Sequence, residues 1–212
     1  MLVEYKTVAK EAEITLFERK SKFIGRIKPV GTVEEAEEFI EAIRKQHWDA
    51  THNVPAYILG TNQEVQKFSD DNEPSGTAGL PMLEMLKGYE LTNVVVVVTR
   101  YFGGILLGRG GLIRAYGGTT RAALQEAGIV RMVPARAVAI TVDYVHVGKI
   151  QNELLQAGIY IADTEYLEKV TFHVQLFAEE MEPIRQLLQE LTANEFIWLE
   201  GEELYRAQPV EG

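Results

Sequence analysis

The sequence predicts an α+β protein of two domains, and three observations lead there. Residues 137–206 run strand, helix, strand, strand, helix, strand, the split βαβ order of ferredoxin-like folds. Upstream, Val94–Val98 is an unbroken β-branched run between two segments of helical periodicity, the mark of a strand covered on both faces. The charge divides as well. The 212 residues carry a net charge of −10, and residues 137–212 hold 14 acidic side chains against 4 Lys or Arg, whereas residues 1–136 hold 17 of each. Such asymmetry separates an electrically neutral domain, 1–134, from an acidic one, 135–212, with the boundary at Met132-Val133-Pro134-Ala135.

Each element has its own signal. Alternation around "ITLFERK" and then "KFIGRIKPV" predicts two strands within residues 6–30. Gly31-Thr32 and a glutamate-rich first turn open a helix over 33–46, with Ala36, Phe39, Ile40 and Ile43 at helical spacing. "HNVPAYIL" and "EVQKF" pair as a hairpin around Gly60-Thr61-Asn62. A helix then ends near Gly88, "NVVVVVTRYF" is the buried strand, and a helix over 111–126 stops at Gly128. In the acidic domain the strands are 137–143, 159–165, 168–177 and 195–206, and the helices 146–157 and 181–193 end at Gly158 and Asn194. Phe172, Phe196 and Trp198 read as core, because glutamates 195, 200, 202 and 203 surround the latter two and no basic stacking surface accompanies them. That domain alone is expected to bind no RNA.

Composition removes whole classes of chemistry. With no cysteine there is no thiol catalysis, disulfide or cysteine-ligated zinc. The N-terminus has lysines and glutamates where an export signal has an apolar run, and Val94–Val98 is too short to span a bilayer, so a cytoplasmic protein without membrane contact is expected. His47 and His52 are five apart, not at helical zinc-ligand spacing, and neither a metal nor a cofactor is expected.

Two stretches carry possible chemistry. "SDDNEPSGTAGLPM" (69–82) places Asp70, Asp71 and Glu73 before a small-residue turn that contains Ser75. His52 with Ser75 and one of the aspartates has the composition of a nucleophile, base and orienter, although Ser75 lacks a nucleophile-elbow setting. The carboxylates could also hold Mg²⁺ or simply cap the turn. "RYFGGILLGRGGLIRAYGG" (100–118) sits where phosphate loops sit, but Arg109 and Gly110 replace the lysine and hydroxyl of a Walker loop. Gly108-x-Gly110 is followed by Ile113 where a dinucleotide motif needs a third glycine. Both nucleotide motifs are excluded.

The helix after it is more informative. Leu112, Ala115, Tyr116, Thr119, Ala122 and Ala123 form an inward stripe, while Arg114, Gly117, Gly118 and Arg121 share another face by their spacing. From Leu91 to Gln125 there is no acidic residue, yet Arg100, Arg109, Arg114 and Arg121 are present. Arginines flanking a glycine pair predict a face that something anionic can approach closely, RNA or a ribosomal surface without DNA specificity. The plain alternative is that the glycines receive a neighbouring element and the arginines pair with Asp70, Asp71 and Glu73.

"SDDNEPSGTAGLPML" followed by "VVVVVTRYFGGILLGRGGLIRAYGG", with "ATHNVPAY" before them, closely resembles the IMPACT family, specifically its bacterial YigZ-type branch. The resemblance implies an N-terminal domain with the fold of a ribosomal-protein second domain. It also implies a C-terminal domain like the last domain of the translocating elongation factor. Eukaryotic members regulate translation under amino-acid stress by binding a large ribosome-associated regulator. The resemblance therefore implies a translation-associated regulator, more readily a binding protein than an enzyme, whose partner is RNA, the ribosome, a translation factor or a protein regulator. A hydrolase using His52 with Asp70, Asp71 or Glu73, and a protein-sequestering regulator without RNA, stay open beside it.

Overall fold

Valine at five successive positions is explained by what lies on the two faces of one sheet. The computed structural model describes residues 2–210 and divides into two units, one built on Tyr5–Arg131 and one on Met132–Ala207. The first contains β1 (Tyr5–Val8), β2 (Ala12–Glu18), β3 (Ser21–Pro29), α1 (Val33–Gln46), β4 (His52–Leu59), β5 (Val65–Phe68), α2 (Gly79–Gly88), β6 (Val94–Tyr101) and α3 (Gly108–Ala127). An antiparallel sheet runs in the order β2-β3-β6-β4-β5. Val94, Val96 and Val98 point to one face, into a core with Phe23, Met82, Leu86 and Tyr116 from β3, α2 and α3. Val95 and Val97 point to the other, against Ile40 and Ile43 of α1. Each fully buried valine contributes roughly 1.5–3 kcal/mol, so neither face tolerates a polar substitution.

Local signals set the helix ends. The Thr32 hydroxyl accepts from the Glu35 amide at 3.2 Å and caps α1. Gly128, at φ 71°, stops α3, and its amide reaches back to the Leu124 carbonyl. The start of α3 lies three residues earlier than the expected 111, at Gly108. Glycines 108, 110 and 111 read as loop, but first-turn amides lack helical partners in any case, and packing of Leu112 and Tyr116 decides the outcome. β1 escaped the sequence reading because four residues of mixed polarity are held by distant partners: the Thr92 amide donates to the Lys6 carbonyl at 2.9 Å and the Thr7 hydroxyl to the Asn93 carbonyl at 3.0 Å.

The second unit follows β7 (Ile129–Val142), α4 (Tyr144–Gln156), β8 (Tyr160–Tyr166), β9 (Val170–Phe177), α5 (Ala178–Thr192) and β10 (Ile197–Pro209). β9 pairs antiparallel with both β7 and β8, and β10 lies on the other side of β7. β7 and β8 are thus parallel with β9 between them, the expected split βαβ arrangement. Phe172 is fully buried, and Phe196 and Trp198 pack partly buried against the same core. Pro134, read as a linker signal, lies inside β7 but just ahead of Ala135, the first residue paired with β9. Its missing amide costs that ladder nothing.

Candidate functional site

The carboxylates that the sequence groups together separate as soon as the chain turns. Asp70–Glu73 is a tight turn, with the Glu73 amide donating to the Asp70 carbonyl at 2.9 Å. Its central residues, Asp71 and Asn72, take φ of 43° and 67°, which Asp and Asn tolerate better than other side chains. Asp70 folds over the following loop and accepts from the amides of Gly76 (2.8 Å), Ala78 (3.1 Å) and Gly79 (2.9 Å). Asp71 accepts from the Asn53 amide at 2.6 Å on β4. Glu73 alone is turned inward, its side chain only 3% exposed.

There Glu73 meets three elements at once. Its Oε1 accepts from Arg100 Nη1 on β6 at 2.6 Å and from the Tyr116 hydroxyl on α3 at 2.7 Å. His52 Nε2, on β4, lies 3.6 Å from the same oxygen, while His52 Nδ1 donates to the Asp71 carbonyl at 2.7 Å. Arg100 also reaches the Ser21 hydroxyl at 3.3 Å and lies against the rings of Phe23 and Phe102. Burial, followed by the Glu73 charge, pushes the Tyr116 hydroxyl far above its ordinary value, so it stays protonated and donates. A buried carboxylate needs its charge matched, and Arg100 does that here while the Tyr116 hydroxyl adds a second donor to the same oxygen. The arrangement ties the motif loop to β4, β6 and α3.

The predicted residues therefore split. The structure brings together His52, Glu73 and Arg100, and leaves Ser75 out: Ser75 is exposed, and its backbone carbonyl accepts from Arg109 Nη2 at 3.0 Å. Two members of the expected anion face need correction. Arg100 is buried, 6% exposed at its side chain, and committed to Glu73, so it presents no charge to a ligand. Gly117 is buried, with the Met85 methyl 3.8 Å from where its Cβ would stand, because three residues on from Arg114 the helix has already turned toward α2. The sequence places Tyr116 on the inward stripe of α3. A hydroxyl buried on such a stripe needs a partner, and that requirement alone marks it as polar machinery.

What stays on the outer side of α3 is Arg114, Gly118 and Arg121, all exposed, with Arg109 at the helix start. Arg114 and Arg121 are two turns apart and nearly in line, about 10 Å along the axis. Neither has a hydrogen-bond or ion-pair partner among the described residues, and a Cβ on Gly118 would meet nothing within 4 Å. No group of histidines and carboxylates among the described residues could hold a metal ion, and no described helix is long and apolar enough to cross a membrane.

A second polar chain crosses the opposite face of the sheet. Arg26 Nη2 donates to His47 Nε2 at 2.7 Å, His47 Nδ1 to the Tyr101 hydroxyl at 2.8 Å, and that hydroxyl to Asp49 at 3.0 Å. Burial first, and then the Arg26 charge, hold the His47 imidazole below its ordinary value of 6.5. The unfolded chain takes up this proton before the folded one, so the stabilisation is complete above about pH 6.5 and declines as pH falls toward the folded value. Denaturant midpoints should fall between about pH 7.5 and about pH 5.5, and fall less in His47→Gln. Equal losses in the two proteins would exclude His47 as the source.

Comparison with known proteins places these motifs in a family. The Impact N-terminal domain matches residues 19–124, and a domain of unknown function matches 140–195. The IMPACT family member YvyE of Bacillus subtilis is 44% identical over 210 residues, spanning 99% of this chain and 97% of the relative. The chain belongs to the IMPACT family. YigZ, the member from Escherichia coli, is 38% identical over 169 residues, or 78% of this chain and 83% of its own. The IMPACT protein of Rattus norvegicus is 34% identical over 109 residues, half of this chain and 33% of its own. A crystal structure described as that of a hypothetical protein superposes with a TM-score of 0.60 at 33% identity, covering 95% of this chain and 99% of the other. The Glu73, His52, Arg100 and Tyr116 cluster lies wholly within the Impact N-terminal domain.

Proposed function

We propose that this IMPACT-family protein is a non-enzymatic, translation-associated regulator that docks RNA or an RNA-bearing ribosomal surface on the outer side of α3. The observation that carries the reading is the pair Arg114 and Arg121. In a chain of net charge −10, they project without a partner among the described residues from a segment, Leu91–Gln125, without one acidic residue. Gly118 between them adds no side chain, so an anionic backbone can come close to the helix. Arg109 extends the same positive field toward the motif loop. Membership of a family of translation-related regulators supports the choice of partner.

Contacts to phosphates release counterions, so binding must weaken as salt rises. In ribosome co-sedimentation and in titrations with RNA, Arg114→Gln and Arg121→Gln should each weaken binding alike for all sequences. Each should also reduce the salt slope by about one unit. Binding that is absent at low salt, or unchanged in both variants, would overturn the reading. The competing hydrolytic reading rests on His52 beside Glu73. Turnover of general phosphatase, esterase or peptidase substrates that disappears in His52→Ala would replace the proposal with it. Partners that survive nuclease treatment would favour the protein-sequestering alternative.

A further inference from the structure

The sheet face away from α3 is covered unevenly. α1 packs on Val95 and Val97 but ends at Gln46, and beyond it a row of side chains is left without a helix over it. In the strand register Phe17 of β2 lies opposite Lys22 of β3, and Lys22 opposite Tyr101 of β6, so the three stand side by side on that face. Phe17 is 71% exposed and belongs to no core cluster. The Tyr101 hydroxyl bonds both His47 and Asp49, and Trp48 between them, 83% exposed, is carried at that end of the row. No other aromatic ring among the described residues is as exposed as these two, and both fall on one row. Of the nearby carboxylates, Glu13 is held by Arg26 and Asp49 by the Tyr101 hydroxyl. Lys22, and Arg19 and Lys20 in the exposed β2–β3 turn, have no ion-pair partner among the described residues.

Resting on the RNA-binding reading above for its ligand, but on a different face of the domain, we propose that this row is a platform for unstacked bases of single-stranded RNA. One base stacks on Phe17 and another on Trp48, and Lys22 and the Arg19-Lys20 turn meet the phosphates that join them. Exposed aromatics interleaved with unpaired cations are how single strands are held, and a duplex keeps the faces of its bases out of reach. An apolar protein surface would cover the same rings but would desolvate Arg19, Lys20 and Lys22 without matching their charge.

The test uses the full chain and a labelled oligoribonucleotide of about a dozen nucleotides, single-stranded or annealed to its complement. Phe17→Ala and Trp48→Ala should each weaken single-strand binding roughly tenfold without altering the salt slope, because stacking releases no counterion. Both side chains stand in solvent, so both variants fold. Lys22→Gln should weaken binding and lower the slope by about one unit. Duplex binding should be the same in the wild type and the two aromatic variants. Trp198, in the acidic unit, is the only other tryptophan, so in Trp198→Phe the emission of Trp48 should be quenched as single strand is added. If Arg114→Gln and Arg121→Gln weaken binding but the aromatic variants do not, the platform is wrong and the arginine face stands. The opposite pattern keeps the platform and removes the arginine face. Equal losses for single strand and duplex, or binding that leaves the Trp48 emission unchanged, would mean that no base stacks there and overturn the inference. A wild type that binds no oligoribonucleotide would overturn it as well, and ribosome association lost in Phe17→Ala would then assign the row to a protein partner.

Discussion

Glu73→Ala should destabilise the Tyr5–Arg131 unit by about 3–5 kcal/mol, the usual cost of breaking a buried ion pair from one side. The substitution strands the buried Arg100 guanidinium, whose Nε already has no partner, and leaves the Tyr116 hydroxyl without its acceptor. It also opens a void among β4, β6 and α3. Against a total stability of about 5–15 kcal/mol, a loss of this size leaves the unit marginal. Denaturant unfolding monitored in the full chain reads the effect, and a loss under about 1 kcal/mol would show that the cluster holds nothing together.

Two companion variants separate the parts of that loss. Tyr116→Phe removes one hydrogen bond to a charged acceptor while Arg100 stays neutralised, so about 1.5–3 kcal/mol is expected. Arg100→Met leaves Glu73 as an unpaired buried anion, a fault of the same kind as Glu73→Ala with the sign reversed. The double variant Glu73→Ala with Arg100→Met removes both charges. It should cost less than the sum of the two, since the stranded-charge penalty appears in each single variant and in neither half of the double. The cluster is therefore a clamp that fixes the motif loop beside α3, and it leaves the outward arginines free for contact.

Much of this was legible from residues alone, for reasons that differ by element. The β6 valines and the α1 apolar spacing encode burial directly, because period and branching report which faces are covered. The ferredoxin-like order is readable because Gly158 and Asn194, just beyond the two helix ends, take the left-handed backbone that stops a helix. What stayed hidden depends on direction rather than type. Arg100 and Arg114 belong to one acid-free stretch, yet one points into a closed interior and the other into solvent, and only the sheet's pleat and the helix's phase decide which. Gly117 and Gly118 are neighbours that fall on opposite sides of the packing boundary by one helical step. The ion pair of Glu73 with Arg100 joins residues 27 apart in the chain, and no local pattern specifies it.

Gly103→Ala carries the second large effect, and its cause is space. A Cβ there would stand 2.1 Å from the backbone carbon and oxygen of Lys20 and 2.5 Å from the Ser21 amide. Backbone atoms of a hairpin turn cannot rotate away as a side chain would, so the loop must lift from the turn. In lifting it breaks the contact of the Gly103 amide with the Ser21 hydroxyl, the same hydroxyl that Arg100 donates to. The damage thus reaches the buried cluster, and the loss should fall at or above the top of the ~1–3 kcal/mol range for overpacking. Gly104 provides the control. Its φ of 81° strains any side chain, but its Cβ meets nothing within 4 Å, so Gly104→Ala should cost only about 1–2 kcal/mol. Denaturant midpoints of the two alanine variants decide the matter: Gly103→Ala must lie below Gly104→Ala. The reverse order would mean that the loop slides off the Lys20 turn without strain and that the turn does not hold it in place.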